Sequence, residues 1–296
     1  MIEERLASHN AVCRLLKEYG LQPKKGLGQN FITDSRVVAK MVDAAGITRD
    51  DRVIEIGPGL GGLTQVLAEK AASVLAVELD ISLSDVLTDV FDGDDRVEIL
   101  RGDFLKIDLC ALMASRGWRT VKIAANLPYY ITSSVIESLL ESSRPIESIT
   151  VMAQKEAAER LTAKPGGRAY GVLSLLAAYR ADIRIDANVP RNCFFPRPHV
   201  DSVIATLRLI GPKAEQGDEE VLFKCIKAAF GQRRKTLLNC LRSQDWIGLD
   251  REGLAELLTD CGFDHDIRGE ALPLDDFIRL ARKLNSRLHH SMNAGI

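Results

Sequence analysis

From residue 52 onward, short runs rich in Val and Ile alternate with stretches of helical period, and the first run leads straight into Gly57-Pro58-Gly59-Leu60-Gly61-Gly62. A chain repeating strand, crossover and strand can satisfy its backbone in a mostly parallel sheet with helices on both faces. The expected pairs are Arg52–Ile56 with Leu63–Lys70, Val74–Glu78 with Ile81–Phe91, Lys122–Ala125 with Thr132–Leu140, and Ser148–Ala153 with Lys155–Thr162, plus a strand at Val97–Leu100. The first strands show little polar alternation, as expected when both faces are covered. Ahead of them, Asp34 can cap a helix over Arg36–Ala45 that Gly46 ends.

Two later strand candidates, Ala181–Asp186 and Val200–Leu209, are joined by the proline-containing loop Val189–His199 with no full helix between them. They read as an antiparallel pair at the sheet edge. Gly211–Pro212 and the polar Lys213–Glu220 mark a boundary, so the chain divides into a domain over 1–211 and a helical one over 212–296. Helices are expected near Val221–Phe230, Arg233–Ser243, Arg251–Cys261 and Leu274–Leu284, with residues 286–296 frayed. The architecture expected is therefore α/β with an antiparallel edge, plus a small all-α C-terminal domain.

At 46% hydrophobic and 27% charged residues, the 296-residue chain has the balance of a folded globular protein rather than a disordered one. Its six cysteines, at 13, 110, 193, 225, 240 and 261, include no C-x-x-C pair, so reduced thiols and no metal site are expected. Met1-Ile2-Glu3-Glu4-Arg5 is not a signal-peptide start, and no apolar run approaches the roughly 18 to 20 residues that cross a bilayer. A cytoplasmic location away from membranes is expected.

Charge is segregated along the chain. Residues 50–108 hold fourteen Asp and Glu against five Lys and Arg, whereas Lys224, Lys227, Arg233, Arg234, Lys235 and Arg242 share 221–243 with no acid. The stretch Arg14–Lys40, with Lys24 and Lys25 in it, is also basic. Such a pattern suits a phosphate backbone along one face, or a solvated helix face.

The glycine loop lets a ligand approach the backbone, and the helix N-terminus after it offers unpaired N–H groups. Glu78, at the end of the second strand, is placed to hold a ribose diol. A nicotinamide-dependent dehydrogenase shares this signal. Gly102–Asp103 follows the third strand, where Asp103 can accept from the amine of a bound adenine or simply form a turn.

Asn126-Leu127-Pro128-Tyr129, at the end of the fourth strand, separates these readings, because a dehydrogenase has no use for it. An adenine amine is a poor nucleophile, and two acceptors that draw on its hydrogens prepare it for methyl transfer. The Asn126 side-chain carbonyl and the Leu127 backbone carbonyl, held extended by Pro128, can supply them. Tyr129 offers a stacking face for the base. Phe194, in Phe194-Phe195-Pro196-Arg197-Pro198-His199-Val200-Asp201-Ser202, is expected to cover the other face of an extruded base. His199 reads as structural or phosphate-facing.

These motifs, with Leu27-Gly28-Gln29-Asn30-Phe31-Ile32 and Glu55-Ile56-Gly57-Pro58-Gly59-Leu60, resemble the ribosomal RNA adenine dimethyltransferases over about residues 14–285. Leu27 and Tyr130 depart from the family pattern. The resemblance implies a Rossmann-like fold binding S-adenosylmethionine, with Asn30 and the Ile32 backbone contacting the cofactor. It assigns Gly57 and Gly59 to the methionine end, Glu78 to the ribose, Asp103 to the adenine and Asn126 to the reaction centre. It further implies direct, metal-free dimethylation of two adjacent adenosines near the 3′ end of 16S rRNA, in a small-subunit particle, by a monomer. Phosphate contacts are expected from Lys24, Lys25, Arg233, Arg234 and Lys235. Large-subunit resistance methyltransferases and non-catalytic factors share the scaffold, but Phe230-Gly-Gln-Arg-Arg-Lys-Thr-Leu-Leu-Asn239 resembles the small-subunit enzymes.

Overall fold

The computed structural model describes residues 4–128, 130–141, 145–211, 213 and 218–293. In chain order these form α1 (His9–Glu18), β1 (Phe31–Ile32), α2 (Ser35–Ala44), β2 (Arg52–Ile56), α3 (Gly62–Lys70), β3 (Ser73–Glu78), α4 (Ile81–Val90), β4 (Val97–Arg101), α5 (Leu109–Ser115), β5 (Val121–Asn126), α6 (Thr132–Glu141), β6 (Ile146–Gln154), α7 (Lys155–Leu161), α8 (Val172–Arg180), β7 (Ala181–Val189), β8 (Phe194–Phe195), β9 (Ser202–Leu209), α9 (Asp218–Gly231), α10 (Leu237–Arg242), α11 (Arg251–Asp260) and α12 (Leu274–Asn293).

Seven strands form one sheet in the order β4-β3-β2-β5-β6-β9-β7. Strands β4, β3, β2, β5 and β6 run parallel, and β9 lies antiparallel to β6. The expected edge pair is present as β9 and β7, tied further by Thr206 Oγ1 donating to Asp186 Oδ2 at 2.7 Å. After β4 the chain returns across the sheet to pair β5 with the other side of β2. The carboxyl ends of β2 and β5 therefore flank the point where strand order reverses, the place where open α/β sheets form ligand crevices.

Asp34 caps α2 by accepting from the Arg36 N–H at 3.0 Å, and the helix buries Val37, Val38, Met41 and Val42. These residues pack with Leu67 of α3 on sheet residues Val53, Val74, Ala124, Met152 and Ile204. A second cluster joins Val12 and Leu15 of α1, Val86 and Leu87 of α4, Phe31 and Leu60. Burying each such side chain contributes about 1.5–3 kcal/mol, so the helices flanking the crevice are firmly seated.

The chain packs as two compact units, 4–158 with 182–209, and 159–181 with 210–293. Relative to the expected division at 211, the stretch 159–181 groups with the C-terminal helices. The Tyr170 hydroxyl donates to the Leu272 carbonyl at 2.7 Å, and Arg180 pairs with Glu219 at 2.6 Å. Leu222, Ile226, Leu241, Leu257, Phe277 and Leu280 are buried in this unit.

Two sequence expectations need correction here. Residues 286–293 are helical rather than frayed, because Lys283, Asn285 and Arg287 donate to Asp260, Asp218 and Gly253 respectively. The helix expected over Arg233–Ser243 begins at Leu237, since Thr236 caps it and the Lys235 N–H turns back to the Gln232 carbonyl at 2.8 Å. Helices α1, α5 and α8 and the short β1–β8 pair were not expected.

Candidate active site

The loop after β2 needs glycine at two positions. Gly57 has φ +69° and nothing within 4 Å of where a Cβ would stand, so backbone alone borders the crevice there. Gly59 has φ +63°, and a Cβ on it would meet the Phe31 ring at 3.1 Å. Both conformations are ones that only glycine adopts freely. The pocket formed is lined by this loop, by 27–32, by the ends of β3 and β5, and by 102–105.

Glu78 is buried, and its oxygens accept from the backbone N–H of Gly59 at 3.1 Å and of Asp80 at 2.8 Å. Burial pushes its carboxyl above the ordinary range, against the pull of those backbone donors. Fixed in this way, it retains lone pairs for a ligand hydroxyl. Asp103 lines the pocket and also accepts from the Leu105 N–H at 3.1 Å, so its turn role and a ligand role are compatible.

Glu55 stands one layer deeper on β2. It is 1% exposed, and its Oε2 has no hydrogen-bond partner among the described residues. Burial, together with the nearby Glu78 charge, pushes it up to about 8. Glu55 is therefore mainly protonated at neutral pH, and the acceptor oxygens of the pocket are those of Glu78 and Asp103, which suit a ligand with hydroxyl and amine groups.

Asp80 holds the roof. Its side chain accepts from Lys24 Nζ at 2.7 Å and Gln29 Nε2 at 2.8 Å, and it caps α4 through the Ser82 N–H at 3.1 Å. Burial raises its carboxyl, but the Lys24 and Gln29 donors outweigh this and hold it below the usual range. The segment 27–32 is thereby tied to the same β3–α4 junction that carries Glu78. Asn30, Phe31 and Ile32 all line the pocket.

At the end of β5, Asn126 Nδ2 donates to the Asn30 carbonyl at 3.0 Å, which leaves Oδ1 as the free acceptor of that amide. The Leu127 N–H is taken by the Met152 carbonyl at 3.3 Å, while no bond among the described residues engages the Leu127 carbonyl. Pro128 and Tyr130 complete this rim, with Tyr130 56% exposed. Tyr129 lies outside the described residues.

Phe194 does not line the pocket. Its strand pairs with β1, setting Phe194 opposite Ile32, and the ring is 5% exposed in the apolar cluster that holds α2. The expected aromatic sandwich is therefore not assembled in this form. His199 is exposed in the same loop, and its carbonyl accepts from Arg191 at 3.1 Å.

Among the basic residues expected to meet phosphate, Lys25, Arg234 and Lys235 are exposed, whereas Lys24 is tied to Asp80. Arg233 pairs with Glu270 at 3.0 Å and donates to the Tyr170 carbonyl at 3.0 Å, which makes it an internal brace of the C-terminal unit. Asp80 and Gln29 were assigned no role from sequence. The Asp80 cap, two residues past Glu78, is the signal that could have found the first. Among the described residues no group of His, Cys, Asp and Glu is arranged to hold a metal ion, and no helix is long and apolar enough to cross a membrane.

The model of the family described as ribosomal RNA adenine dimethylase matches residues 20–251. A curated relative from Lachnoclostridium phytofermentans, ribosomal RNA small subunit methyltransferase A, is 44% identical over 277 residues, covering 93% of this chain and 96% of its own. Among solved structures, a dimethyladenosine transferase from Plasmodium falciparum superposes with a TM-score of 0.68 at 24% identity, over 86% of this chain and 98% of that one. The 23S rRNA methyltransferase ErmE superposes with a TM-score of 0.62 at 26% identity, over 86% of this chain and all of that one.

Proposed function

The chain belongs to the ribosomal RNA adenine dimethylase family, and from that premise we propose that it is an S-adenosylmethionine-dependent enzyme that dimethylates N6 of two adjacent adenosines near the 3′ end of 16S rRNA. The small-subunit reading is preferred over the large-subunit one because 44% identity to a small-subunit enzyme far exceeds 26% to a 23S enzyme. Its setting is a small-subunit particle in the cytoplasm, met by a monomer.

The observation that carries the chemistry is the Asn126 amide, anchored through its Nδ2 on Asn30 with Oδ1 left to accept. S-adenosylmethionine supplies an electrophilic methyl group on a sulfonium. The pocket fits such a molecule: Gly57 gives it backbone without side chain, Glu78 offers carboxylate oxygens to ribose, Asp103 meets the adenine amine, and Asn30 with the Ile32 backbone closes the methionine side. The buried Glu55 adds a compensating negative charge when ionised.

For the target base, Asn126 Oδ1 and the Leu127 carbonyl accept the two amine hydrogens, which draws the nitrogen lone pair out of conjugation with the ring. This acceptor pair, fixed before the base arrives, acts by positioning and dipole rather than by proton abstraction before attack. Tyr129 stacks on the base. Phe194 covers its second face once the ring turns out of its contact with the α2 cluster. Lys25, Arg234 and Lys235 meet RNA phosphates, which positions the substrate without reading its sequence.

A tritiated-methyl transfer assay on under-methylated small subunits, with nuclease digestion of the product, tests the reading. Label recovered as N6,N6-dimethyladenosine supports it, and label on any other base, or none, refutes it.

A further inference from the structure

Helix α9 places Lys224, Lys227 and Gly231 along one face, the i, i+3, i+7 spacing of a helical stripe. In the C-terminal unit this stripe borders a cleft whose other walls are Gln232, Gln244 and Trp246. The Lys224 ammonium sits 5.4 Å from the centre of the Trp246 ring, and Glu220 holds the same ammonium at 2.6 Å. Trp246 is half-buried, so its indole is fixed by the fold while one portion faces the cleft. Gln244 commits its Nε2 to the Cys240 carbonyl and Ser243 hydroxyl, which turns its carbonyl oxygen outward as an acceptor.

We propose that this cleft is a second nucleotide site, which takes one unstacked base of single-stranded RNA against Trp246 with its phosphate on Lys224 and Lys227. Every base presents a flat π-face, and stacking on an aromatic exceeds an exposed cation–π contact, so an arriving base displaces the Lys224 ammonium from the indole. The ammonium then turns to the phosphate that arrives with the base. Gln232 and Gln244 offer amide groups to a base edge. The α9 side of the site opens the stretch 221–243, which holds six basic residues and no acid, and this favours an anionic ligand although Glu220 and Asp245 flank the cleft. It deepens the rRNA reading above and rests on it: it would grip a flanking strand while the reactive adenine enters beside Asn126.

The chain has two tryptophans, so Trp118→Phe leaves Trp246 as the single emitter. The full-length variant, saturated with S-adenosylhomocysteine, is titrated with a single-stranded adenylate hexanucleotide. Saturable quenching of Trp246 is expected, with roughly tenfold weaker apparent affinity when Lys224→Gln and Lys227→Gln are added. Unchanged emission at saturating oligonucleotide, or unchanged affinity in the lysine variant, overturns the site. Equal quenching by a glutamate decapeptide also overturns it, in favour of an acidic polypeptide. Methyl transfer to small subunits is read in parallel: transfer without quenching refutes the cleft alone, and absent transfer refutes the functional reading itself.

Discussion

Asn126 and Asn30, separated by ninety-six positions in sequence, share a hydrogen bond of 3.0 Å from the side-chain amide of the first to the backbone carbonyl of the second. That bond joins the end of β5 to the segment 27–32, both of which line the pocket. It orients the Asn126 amide, because one of the two Nδ2 hydrogens is committed to Asn30, and it leaves Oδ1 as the acceptor of that amide.

The proposed cofactor is tested against a nicotinamide. Calorimetry is expected to show binding of S-adenosylhomocysteine and none of NADH: both carry an adenosine for Glu78 and Asp103, but beyond it the pocket is walled by Asn30 and by Asn126-Leu127-Pro128, which a dehydrogenase does not use. Tight NADH binding without S-adenosylhomocysteine binding would overturn the assignment of the glycine loop.

Asp80 is expected to matter through the roof. Asp80→Ala removes the partner of Lys24 and Gln29 and the cap of α4; the cap alone is worth about 0.5–2 kcal/mol. Stability should fall by that order, and S-adenosylhomocysteine affinity should fall as well because residues 27–32 lose their anchor. A variant that melts lower but binds the cofactor with unchanged affinity would show that Asp80 is only a helix cap.

Glu55 gives a pH dependence of definite sign. Its carboxyl stands above its ordinary value in the fold, so the stability tied to its protonated form is complete below the usual carboxylate range and is lost as pH rises toward about 8. Melting temperature of the cofactor-free protein should decline from pH 5 to 8, and Glu55→Gln should flatten that decline. An identical slope in the variant would remove Glu55 as its source.

Phe194 separates packing from catalysis. Phe194→Ala should cost about 3–5 kcal/mol, as for an aromatic lost from a core, and would abolish function through the fold. Phe194→Leu keeps most of the apolar volume without an aromatic face. Methyl transfer by a folded Phe194→Leu protein at the wild-type rate would confine the ring to the core.

The basic turn divides in two. Arg233→Ala should lower stability by losing Glu270 and the Tyr170 carbonyl, whereas Arg234→Ala with Lys235→Ala should leave melting unchanged and weaken binding to small-subunit particles. The salt dependence of binding should flatten by up to about two units of slope, each phosphate contributing roughly 0.7–0.9. Unchanged binding at every salt concentration would make the pair a solubility feature.

The glycines, Glu78 and Asn126 were legible in the sequence because each meets a local demand: a backbone conformation, or a strand end beside the point where strand order reverses. The roof was not legible in the same way. Asp80 meets Lys24 across fifty-six positions and Gln29 across fifty-one, and no local pattern selects such partners. The burial of Phe194 was not legible either, because it follows from the two-residue pairing of β1 with β8 that sets Phe194 opposite Ile32. The last turns of α12 were misread because their anchors, Asp260, Asp218 and Gly253, are tertiary.

The most direct test of the central claim is the split between chemistry and binding in Asn126→Ala. If, as proposed, the Oδ1 acceptor acts on the amine chiefly as the methyl arrives, single-turnover transfer to small subunits should fall by roughly a hundredfold or more, while S-adenosylhomocysteine affinity weakens only a few-fold. Transfer at the wild-type rate, or loss of cofactor binding that accounts for the whole defect, would contradict it.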